Sequence, residues 1–326
     1  MIVASLAPTA REAVITQALH IPDGFLSWPV AALFWLLALA VVGLAVRRVG
    51  TELDDRLVPL MGVLAAFIFA AQMINFPVAG GTSGHLLGGA LAAAVLGPWS
   101  AVLVMAAVIA LQALLFQDGG LLVMGANIFN MGLLTALIGF GLVRAAGGRG
   151  RRARSAALAV AAWLSVVAAA LLTSLQLWAS GTAPLRLVVP AMLAVHVLIG
   201  IGEALITVAA FNLLLRARPD LVSRERLAEH GGLGWVAAAA VVTVLVVLLA
   251  PLASVHPDGL ERVAEDLGFD AAGLAPPFQV LPDYTVPLLG ETALSTVLAG
   301  LVGAAILAAA VTLVARRAVR RAPSGD

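Results

Sequence analysis

Gly84-His85-Leu86-Leu87-Gly88-Gly89-Ala90-Leu91-Ala92-Ala93-Ala94-Val95-Leu96-Gly97-Pro98 is the stretch that decides how this chain is folded. Its apolar part, residues 86–96, is only 11 residues long. A helix rises about 1.5 Å per residue, and a bilayer's hydrocarbon is about 30 Å thick, so this segment barely crosses. It is bounded by Gly84-His85 before and Gly97-Pro98 after. It reads as a short segment surrounded by protein, starting at membrane depth. Eight longer apolar stretches lie around it, at 28–46, 58–74, 99–116, 121–143, 155–178, 188–215, 233–252 and 292–315. Each is read as full length for a spanning helix, which needs about 20 mostly apolar residues. The expected fold is therefore an all-α polytopic membrane protein with about nine segments, one of them short.

Arginine placement tests the count. All 19 cations are Arg. With the N-terminus outside, 16 of them fall in the inner loops and the C-terminal tail, leaving Arg11, Arg186 and Arg262 opposite. That asymmetry is the positive-inside signal, and it holds only if the short segment counts as a crossing. The topology is N-outside, C-inside, in the cell membrane. Composition agrees: 62% of residues are hydrophobic and 11% charged, against about 25% charged in soluble domains. A net charge of +1 gives no basic face for nucleic acid. Cysteine is absent, so any metal must be held by nitrogen or oxygen.

The chain divides into four parts. Residues 1–19 are an extension that lacks the basic start and unbroken apolar run of a signal peptide. Residues 20–216 form a seven-helix domain, and 217–232 a cytoplasmic linker holding Pro219 and Gly231-Gly232. Residues 233–326 form a two-helix domain with an external loop at 253–291. That loop carries Asp258, Glu261, Asp283 and Glu291 among its acids and reads as a small acidic cap.

Polar groups at membrane depth are expensive and call for a reason. His20 precedes the first span and His85 lies where the chain re-enters the membrane, so both imidazoles fall at one face. Neutral imidazole suits divalent cobalt, nickel, copper and zinc. The bland alternative has His20 as an interfacial cap and His85 bonded to a carbonyl. Gln72 and Asn75 are three apart, as are Asn127 and Asn130, so each pair shares a helix face. They could brace a ligand loop beside Ser83, or simply bond between helices. His196 and Glu203, seven apart on one face, read as an inner polar pair: an ion relay or a structural pin. No zinc-peptidase, α/β-hydrolase or P-loop motif occurs, so ATP hydrolysis would belong to another chain and no enzyme is expected.

At these residues the sequence resembles a known family. The run His20-Ile21-Pro22-Asp23-Gly24-Phe25-Leu26, residues 61–89 with Ala71-Gln72-Met73-Ile74-Asn75-Phe76-Pro77, and residues 113–131 and 198–207 are similar to the CbiM/NikM family. The tail, with Pro257-Asp258-Gly259-Leu260-Glu261 and Pro282-Asp283-Tyr284, resembles the PDGLE domain, a CbiN/NikN-like part, so the chain looks like a fusion. The resemblance implies a substrate-specific membrane component of an energy-coupling factor ABC transporter importing Co²⁺ or Ni²⁺, the ion being cargo rather than cofactor. It implies a CbiQ/NikQ-like energy-coupling T component and CbiO/NikO-like ATPases as partners in the lipid membrane. The rival is a stand-alone ion-coupled carrier using Glu203 and His196. The resemblance also implies a ligand set: an N-terminal amine, the next amide nitrogen, that second residue's imidazole and a second histidine. These fall on the backbone of Leu19 and His20, on the His20 ring and on His85. Leu19 would then be the true start, inserted as Met from a leucine-type codon.

Overall fold

The computed structural model describes residues 20–52, 57–217 and 234–320. The proposed start at Leu19, the extension 1–19 and nearly all of the linker 217–232 lie outside the described residues. After a loop at 20–27 comes α1 (Trp28–Glu52). Next is α2 (Val58–Gln72), with Pro59 in its first turn, where a missing N–H costs nothing. A hairpin follows, β1 (Phe76–Val78) against β2 (Thr82–Gly84), antiparallel with Phe76 opposite Gly84. Its turn uses Gly80 and Gly81 at φ of 84° and 72°. Then come α3 (Gly89–Leu96) and α4 (Pro98–Phe116). They are separated at Gly97, whose φ of 84° breaks the helix before Pro98 restarts it. α5 (Met124–Ala145), α6 (Gly150–Ala179) and α7 (Leu185–Ala217) complete the first part. α8 (Gly234–Leu249), a short α9 (Gly259–Leu267) and α10 (Ala293–Arg320) complete the second.

Among the described residues seven helices are long and apolar enough to cross a membrane. The fold class is thus the expected one, with one correction to length. The stretch 58–74, read as a full span, yields a helix of 15 residues, because the chain leaves the helix at Met73 and turns through Asn75 into the hairpin. The segment 86–96 loses its first residues likewise: Leu86 to Gly88 are not helical, Gly88 standing at φ 82°, and α3 occupies 8 residues.

The final helix is no appendage. α10 lies along α2 and buries Ala299, Gly303, Leu307 and Val311. Gly62 permits the approach, since a Cβ there would overlap Thr312 Oγ1 and the Ala308 carbonyl. Backbone bonds gather four loops at one end of the bundle: Gly120 N–H to Ile21 O at 2.9 Å, Leu274 N–H to Asp23 O at 2.8 Å, Ser254 N–H to Asn75 O at 2.8 Å and Leu281 N–H to Leu115 O at 2.9 Å. At the other end the Arg48 guanidinium lies 5.9 Å over the Trp99 ring and Arg151 bonds Asn212. His20 and His85 both belong to the first end.

Candidate metal centre

The loop that carries His20 is held at nearly every residue. Asn127 accepts the Ile21 N–H and donates its amide to the Ile21 carbonyl, both at 3.1 Å. Asp23 accepts three N–H groups, from Leu121, Leu122 and Val123 at 3.0, 2.8 and 3.2 Å, and so fixes the loop that leads into α5. Gly119, at φ 93°, lets the 117–123 loop touch the histidine; a Cβ there would stand 2.8 Å from His20 Cβ. The loop is flanked by two wide π turns, Gln112–Phe116 and Ile128–Leu134, features that recur at functional sites.

The loop sets Asp118 against the His20 ring. Its Oδ1 accepts from His20 Nδ1 at 2.8 Å, with both side chains buried. Its Oδ2 accepts from the Tyr284 hydroxyl at 2.6 Å, and the Gln112 amide donates to that same hydroxyl at 3.2 Å. Burial would raise the Asp118 carboxyl, but the His20 ring, with the bonds from His20 and Tyr284, holds it below the usual carboxylate range. An ionised Asp118 accepts the Nδ1–H hydrogen bond, which in the neutral ring leaves the lone pair on Nε2. That buried Nε2 has no hydrogen-bond partner among the described residues.

His85 arrives from β2. Its Nδ1 donates to Leu86 O at 3.0 Å, which requires the proton there and puts the lone pair on Nε2. Residues 86–88 are fixed from two sides. Glu203 accepts the Leu87 and Gly88 N–H groups at 2.6 and 3.1 Å, and Gln72 donates to Leu87 O at 2.8 Å. Gly84 fits under α7, where a Cβ would meet Ile199 Cγ1 at 2.9 Å. The two imidazole centroids come within 5.6 Å, tilted by 52°. With metal–nitrogen bonds of about 2.0–2.1 Å, one ion can touch both rings. A cavity of about 80 Å³ adjoins them, lined also by Met131, His196 and Asp258. Among the described residues no three His, Cys, Asp or Glu side chains form a metal cage; of the further ligands that the family resemblance implies, the backbone of Leu19 lies outside the described residues.

The remaining expected residues separate by task. Ser83 donates its hydroxyl to His256 O at 2.8 Å and its N–H to Pro257 O at 2.8 Å, joining the hairpin to the C-terminal loop. Asn75 joins the same loop through its carbonyl. Asn130 works between helices, bonding Gln176 of α6 at 2.8 and 2.9 Å and Thr173 at 3.1 Å. His196 donates to Met192 O at 2.7 Å and lines the cavity. Glu203 pins the His85 loop, with Thr207 as a third donor at 3.4 Å.

The loop at 253–291 is less a solvated cap than a roof. Asp258 is 4% exposed and lines the cavity. Its carboxylate accepts the Leu260 and Glu261 N–H groups at 2.7 and 2.8 Å, while Glu261 accepts the Asp258 N–H at 3.0 Å. This reciprocal cap folds α9 over the site, with Gly259 against His196 and Ile199. Asp118 and Gln112 carry no expectation from the sequence, and Tyr284 enters it only through the PDGLE resemblance, with no site role. The one cue was Gln117-Asp118-Gly119-Gly120, an acid beside paired glycines between two spans.

Residues 20–221 match the family described as the cobalt uptake substrate-specific transmembrane region, CbiM, and residues 233–320 match the PDGLE domain. A putative fused nickel transport protein, NikMN, of Archaeoglobus fulgidus is 37% identical over 294 residues, covering 89% of this chain and 96% of its own. The fused nickel transport protein NikMN of Rhodobacter capsulatus is 32% identical, covering 93% of this chain and all of its own. A solved structure of a transition metal transporter, 32% identical, superimposes with a TM-score of 0.56 over 64% of this chain and 99% of its own.

Proposed function

The chain belongs to the CbiM family of cobalt and nickel transporters, with a fused PDGLE domain, and on that premise we propose that it is the subunit that captures Co²⁺ or Ni²⁺ at the outer face for import by an energy-coupling factor transporter. The observation that carries this is the meeting of two buried imidazoles, from loops 65 positions apart, beside a cavity. Imidazole nitrogen favours late first-row divalent ions over Mg²⁺ and Ca²⁺, which prefer oxygen. Asp118 holds one ring nitrogen of His20 and leaves the other for the ion. If the chain starts at residue 19, its amine and the His20 amide complete a nitrogen set.

Import would need a T component and two ATPases, since this chain has no nucleotide-binding motif. The Arg-rich inner end offers such a partner, or anionic lipid, its positive charge. The stand-alone carrier is disfavoured because both carboxylate oxygens of Glu203 already serve backbone donors. Equilibrium dialysis of the purified full chain against Co²⁺ and Ni²⁺ tests the reading. His20→Ala and His85→Ala should each abolish retention of the ion while the protein still inserts in the membrane. Retention unchanged in both variants would overturn the site. Uptake that proceeds without partner proteins after ATP depletion would overturn the transport class.

A further inference from the structure

Both imidazoles of the candidate centre lie in the N-terminal part of the chain, yet one outer partner comes from the C-terminal domain. Tyr284 is buried, and its ring stacks on Phe116 with centroids 4.6 Å apart and an 18° angle between planes. Packing accounts for the ring but not for the aim of its hydroxyl, which donates to Asp118 Oδ2 at 2.6 Å while Gln112 donates to it. The other Asp118 oxygen takes His20 Nδ1. The backbone that presents the phenol is unusual: Asp283 and Tyr284 stand consecutively at φ 49° and 56°, a region that non-glycine residues rarely adopt. Such outliers collect where geometry is constrained by function.

We propose that Tyr284 is a positioning residue for metal binding: acting through Asp118, its hydroxyl fixes the His20 ring, so that the C-terminal domain sets the affinity of a site whose imidazoles it does not supply. The inference rests on the reading of His20 and His85 as ligands. Carboxylates that hold a ligating histidine fix its tautomer and raise its basicity, and losing them weakens metal binding tenfold to hundredfold. Here the carboxylate is itself held, so the chain of orientation runs phenol, carboxylate, imidazole, ion.

The test is a double-mutant cycle on the full-length protein in detergent, titrated with cobalt chloride. Tyr284→Phe removes one oxygen and keeps the stacked ring; it should bind Co²⁺ about tenfold more weakly. Asp118→Ala should lose more, within about tenfold to hundredfold, and Asp118→Asn replaces it if the alanine variant does not fold. The double variant should be no weaker than the Asp118 variant alone, because the hydroxyl acts only through the carboxylate. The visible absorption of bound Co²⁺, which reports the ligand field, should shift in Tyr284→Phe; a phenol that only supports packing would leave it unmoved. Wild-type affinity and spectrum in Tyr284→Phe, or losses that simply multiply in the double variant, overturn the proposal. His20→Ala and His85→Ala run alongside. If both lose the ion while Tyr284→Phe is unchanged, this inference alone falls; if both retain it, the site falls too.

Discussion

Glu203 shows what one buried side chain can be asked to do. A carboxylate in the middle of an apolar helix looks like a relay, yet its oxygens sit 2.6 and 3.1 Å from the Leu87 and Gly88 N–H groups. Those donors belong to the irregular stretch just after His85, where no strand or helix neighbour satisfies them. Each buried N–H left without an acceptor costs about 1–3 kcal/mol. Glu203→Ala should therefore destabilise the protein by about 2–5 kcal/mol and loosen the His85 loop. Glu203→Gln, which keeps one acceptor oxygen, should cost less. Thermal unfolding in detergent, with cobalt retention measured beside it, checks both. If Glu203→Gln transports normally, no proton passes through this residue.

The same scale separates what could be read in advance from what could not. His20, His85, Gln72 and Asn127 stand out because they are polar where lipid or protein interior is the only surrounding, and each has a specific partner. Asp118, Asp258 and Tyr284 were not legible as site residues, since an acid or a phenol in a connecting loop ordinarily faces water. Their burial comes from loops that meet only after the helices have packed, and no local pattern encodes that meeting.

At the scale of elements, Gly and Pro marked the boundaries well. Gly88 at φ 82° opens α3, and Gly97 with Pro98 closes it. The hairpin escaped notice because strands of three residues are too short to show alternation. The π turns escaped it because an extra residue per turn changes no composition. The hairpin matters nonetheless, since it sets the height at which His85 enters. Gly84 is its point of closest approach to α7, with a Cβ that would press on the Ile199 side chain. Gly84→Ala should cost about 1–3 kcal/mol by overpacking and move β2 away from the cavity, lowering cobalt affinity. Ile199→Ala in the same chain should restore much of both, because it vacates the space the new methyl needs. A double variant as weak as Gly84→Ala would show that backbone freedom, rather than room, is what the glycine supplies.

Over the whole molecule, the number and length of the apolar spans were enough to read the class, an all-α polytopic membrane protein. They could not tell that the C-terminal part is built into the bundle, because a helix lying along α2 and a helix lying in lipid have the same apolar composition. The consequence is functional. His20 and His85 are 3% and 8% exposed, beneath a roof tied down at Ser83, at Asn75 and through Tyr284. If an ion moving between water and the two rings passes that roof, the roof has to lift. The cysteine-free chain allows a clean trial. Ser254 N–H bonds Asn75 O at 2.8 Å, and hydrogen-bonded residues of this kind bring their Cα atoms within the roughly 4.4–6.8 Å that a disulfide spans. In Asn75→Cys/Ser254→Cys, oxidation should nearly stop exchange of bound cobalt with external ions, and a reductant should restore it. The equilibrium amount bound should be little changed when the bridge is formed after loading. Exchange at the wild-type rate with the bridge shown to be closed would mean that the ion reaches the rings by another route, through the helices rather than under the C-terminal loop.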